Sequence, residues 1–133
     1  MEGRTGMSGK GYSIVFSSRT GNTAELAEAV REALPEEACE YFGNIDGDGN
    51  CDDSTGAIPA SETLFVGFWT NQGVADQAAQ KLLEQLRNRK IFLFGTAGFG
   101  GSEAYFQAIL DKTKAFIDDS NTVIGTFMCQ GKM

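Results

Sequence analysis

The chain has 133 residues, 41% of them hydrophobic and 22% charged, and carries a net charge of −7. That length holds one domain, the composition is that of a soluble globular protein, and no stretch nears the roughly 18 apolar residues of a membrane span. The negative charge argues against a nucleic-acid partner, because phosphates would be repelled. Histidine is absent, which removes imidazole acid–base chemistry and the Ser–His or Cys–His pairs on which many hydrolases depend. Cys39, Cys51 and Cys129 form no CxxC pair and read as reduced thiols, which points to the cytoplasm.

Residues 1–11, MEGRTGMSGKG, are polar and glycine-rich with no hydrophobic segment behind them, and read as a flexible tail ahead of a single domain at 12–133. YSIVF (12–16) is a short, continuous apolar and β-branched run, the pattern of a strand buried on both faces. Leu26, Ala27, Val30 and Leu34 then recur at helical spacing until Pro35 stops the run. ACEYF (38–42) is a weaker strand. It leads into NIDGDGNCDDSTGAIPAS (44–61), a polar loop where an α/β protein usually places a helix.

The alternation resumes with a strand at TLFVGFW (63–69) and a helix whose apolar face comprises Ala75, Ala78, Ala79, Leu82, Leu83 and Leu86. KIFLFG (90–95) is another strand, followed by a helix with Ser102 as N-cap and Phe106, Ile109, Leu110 and Phe116 as its apolar positions. TVIGTFM (122–128) is the last. Strands alternating with helices predict a doubly wound, five-stranded parallel sheet with right-handed crossovers. The second crossover has no clear helix and no helix follows the fifth strand, so some apolar surface is left uncovered. Self-association into a homo-oligomer, or truncation before a final helix, would account for this.

Ligands of open α/β sheets bind at the carboxyl ends of the strands, where strand order reverses. The turns in that position are SSRTGNT, TNQG, TAGFGG and CQGK. SSRTGNT gathers the hydroxyls of Ser18, Thr20 and Thr23, the amide of Asn22 and the N–H groups of a helix N-terminus, the donors that a phosphate monoester would use. Ordinary capping by Thr23 or Asn22 would explain one or two of these residues, but not the whole run. Neither GxxxxGK[ST] nor GxGxxG is present, and serine stands where the nucleophile of a Cys-x5-Arg loop would be. A nucleotide held by a single phosphate remains.

IVFSSRTGNT (14–23) resembles the opening pattern of flavodoxins, and the βαβ alternation is similar over nearly the whole chain. GFWTNQG, FGTAGFGG and FMCQGK look most like short flavodoxin-family proteins of anaerobic bacteria. The resemblance implies a flavodoxin-like fold with strand order 2-1-3-4-5, FMN as cofactor and low-potential electron transfer as activity. Carried over by motif, Ser18, Arg19, Thr20, Gly21, Asn22 and Thr23 would hold the phosphate. Phe68, Trp69, Thr70, Asn71 and Gly73 would form the first loop at the isoalloxazine, with Trp69 stacked on the ring. Thr96, Ala97, Gly98, Phe99 and Gly101 would form the second. Phe99 stands where the family commonly has an acidic residue and a tyrosine, so this loop offers stacking without a side-chain hydrogen bond. Trp69 could simply end a core strand, but its place at the ligand edge before TNQ favours stacking.

The resemblance implies an electron carrier with no catalytic residue of its own. The alternatives are a binding or assembly module of this fold without flavin, and an FMN-dependent NAD(P)H or quinone reductase. Residues 25–62 hold eleven acidic residues against Arg31 alone, either a solvated surface or a face that docks redox partner proteins by electrostatics. NIDGDGNCDDST (44–55) places Asp46, Asp48, Asn50 and Asp52 at spacings reminiscent of a calcium loop. Asn at its first position and Thr55 at its twelfth favour a solvated acidic loop instead. Cys129, at the carboxyl end of the last strand, reads as an inert thiol.

Overall fold

The computed structural model describes residues 11–18, 21–45, 61–98 and 103–130. The run YSIVF forms β1 (Tyr12–Phe16), with all five residues buried, as a strand covered on both faces requires. It is followed by α1 (Asn22–Glu32), a 3-10 turn at Glu36–Ala38, and β2 (Cys39–Asn44). β3 (Thr63–Asn71), β4 (Val74–Ala75), α2 (Gln77–Gln85), β5 (Lys90–Ala97), α3 (Glu103–Lys114) and β6 (Thr122–Gln130) complete the chain order. No helix among the described residues is long and apolar enough to cross a membrane.

The sheet runs β2-β1-β3-β5-β6, with β4 paired to β3 off this path. Every pairing along the path is parallel. Setting aside the two-residue β4, this is the order 2-1-3-4-5. β2 and β3 flank β1 on opposite sides, so the connections leaving β1 and β3 diverge and open a crevice at their carboxyl ends.

β4 corrects one expectation. The helical spacing of the sequence includes Ala75, yet this residue pairs antiparallel with Thr70, and Val74 pairs with Asn71. The two residues between them, Gln72 and Gly73, have φ of 56° and 87°, the backbone of a type I′ hairpin turn. The chain therefore folds back on β3 before α2 begins at Gln77.

Two apolar layers sandwich the sheet. One includes Leu64, Val66, Phe68, Leu93, Ala79, Leu82, Leu83, Ile109 and Leu110, under α2 and α3. The other, under α1, joins Tyr12, Ile14, Phe16, Ala27 and Phe94. β3 and β5 interlock through reciprocal pairs, Gly67 opposite Phe94 and Phe68 opposite Gly95. A Cβ on Gly95 would stand 2.4 Å from the Phe68 ring, and one on Gly67 would stand 2.4 Å from the Phe94 ring. These glycines are the space that lets the fully buried rings lie across the neighbouring strand. On β6, Ile124 and Phe127 are about half exposed (49% and 48%), so the uncovered apolar surface that the sequence predicts includes these two residues.

Candidate functional site

At the carboxyl end of β1 the backbone leaves the sheet through Ser17 and Ser18. Gly21, with φ 92°, is the N-cap of α1, a left-handed conformation that glycine takes without strain. No side chain occupies the cap position itself, and neither Asn22 nor Thr23 caps the helix. Instead, Ser18 Oγ accepts the N–H groups of Gly21 (3.1 Å) and Ala24 (3.4 Å). One serine thus organises the bend and the first turn of α1, and its own O–H proton has no partner among the described residues. Arg19 and Thr20 lie outside the described residues.

Thr23 is buried, and its hydroxyl donates to the carbonyl of Phe68 (3.3 Å) and lies 3.1 Å from Thr96 Oγ1. With Thr23's only proton on the carbonyl, Thr96 is the donor of that second bond. The first turn of α1 is thereby tied to the ends of β3 and β5. Serving a phosphate as well would require this proton to leave Phe68.

On β3, Phe68 is fully buried, so its ring belongs to the core and its carbonyl alone contributes here. Trp69 and Thr70 are half-buried, whereas Asn71 is exposed. Thr70 Oγ1 is shut off from solvent and has no hydrogen-bond partner among the described residues. Gly73 closes the hairpin, its α-carbon facing the Lys112 ammonium, which would be 3.7 Å from a Cβ there. On β5, Thr96 and Ala97 are buried and Gly98 is exposed. Phe99 and Gly101 are outside the described residues, as are Ser102 and the calcium candidates Asp46, Asp48, Asn50 and Asp52.

The residue that the sequence reading missed is Asp76. It caps α2 by accepting the N–H of Ala79 at Oδ2 (3.2 Å). The same oxygen accepts the Ser17 hydroxyl at 2.6 Å, and Oδ1 accepts the Trp69 N–H at 3.1 Å. Burial pushes this carboxyl above the ordinary carboxylate range, opposed by those hydrogen bonds. Its sequence signal is an Asp directly before a helix, obscured because Ala75 just ahead of it shares the helical spacing. Burial likewise raises the Cys129 thiol, as for an unreactive cysteine.

A flavodoxin domain model matches residues 13–133. The chain is a member of the flavodoxin family. It is 40% identical over 131 residues to the flavodoxin-like domain-containing protein BilS of Clostridium symbiosum, covering 92% of this chain and 68% of that protein. With the protein of the same name from Clostridioides difficile, identity is 32% over 120 residues, covering 90% and 65%. The chain thus spans about two thirds of the length of these relatives. A flavoprotein of Lactobacillus acidophilus, solved in complex with FMN, shares the fold with a TM-score of 0.65 at 16% identity, over 90% of this chain and 93% of that one.

The residues of this flavodoxin-family chain fit a flavin mononucleotide on their own chemistry. Thr70 holds an orphaned buried hydroxyl at the loop in question. At Gly21 nothing among the described residues lies within 4 Å of where a Cβ would stand, which leaves the backbone at the N-terminus of α1 open to a ligand. Ser18, Gly21 and Asn22 would face the phosphate, and Trp69, Thr70 and Asn71 the ring system.

Proposed function

We propose that this protein binds FMN at the carboxyl ends of β1, β3 and β5 and carries electrons between redox enzymes. Bound FMN supplies one- and two-electron redox chemistry; the protein positions the group and sets its electrical environment. The observation that carries the reading is the Ser18-organised turn at the N-terminus of α1, opening where strand order reverses. N–H groups and the positive end of the helix dipole there favour a phosphate dianion. The FMN complex of the Lactobacillus flavoprotein on the same fold supports the choice of ligand.

No histidine is present to move protons, and the buried Asp76 carboxylate is engaged in structural hydrogen bonds. Both favour a carrier over an enzyme with its own acid or base. In a chain of net charge −7, negative charge added to the flavin on reduction is disfavoured, which lowers the potential. The acidic surface steers a basic redox partner in a salt-dependent way. A cytoplasmic exchange is consistent with cysteines kept as free thiols, as Cys39 and Cys129 are.

The test is titration of FMN and of riboflavin into the protein, followed by flavin fluorescence. FMN is expected to quench on binding, and riboflavin, lacking the phosphate, to bind at least about tenfold more weakly, about 1.4 kcal/mol. FMN that keeps its free fluorescence, or equal affinity for the two flavins, would overturn the reading.

A further inference from the structure

We propose that Asp76 is a positioning residue for the flavin: its buried carboxylate sets the spacing between the phosphate turn on β1 and the Trp69 loop on β3. The inference rests on the reading that FMN binds between those two segments.

A helix cap needs one acceptor, and serine would serve as well as aspartate. Asp76 is only 2% exposed, and burying a carboxylate is unfavourable unless several donors meet it. Here three donors from three elements do so. Ser17, at the end of β1, donates its hydroxyl to Oδ2, Ala79 in α2 donates its N–H to the same oxygen, and Trp69 on β3 donates its N–H to Oδ1. The Asp76 N–H returns a bond to the Trp69 carbonyl at 2.9 Å. Both backbone polar groups of Trp69 are therefore held by one residue. Ser17 immediately precedes Ser18, which organises the phosphate turn, and Trp69 immediately precedes Thr70 with its orphaned hydroxyl. A side chain with two acceptor oxygens can span these segments. A serine at the same place keeps the cap and loses the span.

The experiment compares Asp76→Ser and Ser17→Ala with the wild-type chain. The readouts are FMN affinity, visible circular dichroism of the bound flavin, emission of Trp69, the chain's single tryptophan, and thermal unfolding without flavin. Asp76→Ser keeps the α2 cap but leaves the Trp69 N–H and the Ser17 hydroxyl without their acceptor, so it is expected to fold with a lowered thermal midpoint. Both variants should weaken FMN about tenfold, alter the flavin dichroism and shift Trp69 emission in the flavin-free protein. Ser17→Ala leaves the α2 cap untouched, which keeps the question answerable if Asp76→Ser fails to fold. Wild-type affinity and dichroism in folded variants would overturn the positioning role while leaving FMN binding intact. Failure of the wild-type chain to bind FMN would overturn both readings.

Discussion

Replacing Thr23 by valine keeps the shape of a buried side chain and deletes its hydroxyl, which meets Phe68 O at 3.3 Å and Thr96 Oγ1 at 3.1 Å. The change removes the side-chain donor to the Phe68 carbonyl and leaves the Thr96 hydroxyl without its acceptor. A net hydrogen bond contributes about 1 kcal/mol, and a buried group left unsatisfied costs about 1–3 kcal/mol. Thr23→Val should therefore destabilise by about 2 kcal/mol, lowering the thermal midpoint by roughly 6–10 °C for a chain of this size. Thr96→Val removes only the shared bond and should cost about 1 kcal/mol. Since that bond is lost in either single variant, the double variant should cost about 2 kcal/mol and not the sum, a coupling of about 1 kcal/mol. Urea and thermal unfolding of all four proteins measure the cycle. Additivity to within about 0.3 kcal/mol would refute the linked hydroxyl pair.

The Phe68 ring fills the place where a Gly95 side chain would stand, so Gly95→Ala should destabilise by about 1–3 kcal/mol through overpacking, read by urea unfolding. Gln72 has φ 56° in a type I′ turn, and Asn tolerates that conformation better. Gln72→Asn should raise stability by about 0.5 kcal/mol, and a loss would contradict the turn assignment. Burial raises the Asp76 carboxyl in the folded state, so the folded chain holds that proton more readily than the unfolded one. The resulting contribution to stability is full below the ordinary carboxylate pKa and is lost as pH rises through the raised value. The stability difference between wild type and Asp76→Asn should thus move in favour of wild type from about pH 7 to about pH 4, and a flat difference would refute the burial effect.

Local pattern was enough for the five long strands and the three helices, but not for the β4 hairpin that takes Ala75 out of the helix. YSIVF, TLFVGFW and KIFLFG are continuous apolar runs whose burial on both faces leaves little choice of conformation, and the alternation with helical periods dictates a parallel sheet. SSRTGNT reads as a donor-rich turn because its residue types are donors whatever surrounds them. The fate of each donor was a tertiary matter. Thr23 reads like its neighbours, yet its hydroxyl turns inward because the ends of β3 and β5 bring a carbonyl and Thr96 within reach. Phe68 reads like Trp69, but strand alternation sends its ring into the core, where Gly95 makes room for it. Asp76 carries no sequence signal beyond that of a cap, because its partners Ser17 and Trp69 come from two other strands. The sequence alone determined the five long strands, the three helices and the donor types of the first turn, since these depend on neighbours along the chain. Which polar groups remain for a ligand and which tie the strands together depended on contacts between distant residues, and these exist only once the sheet has assembled.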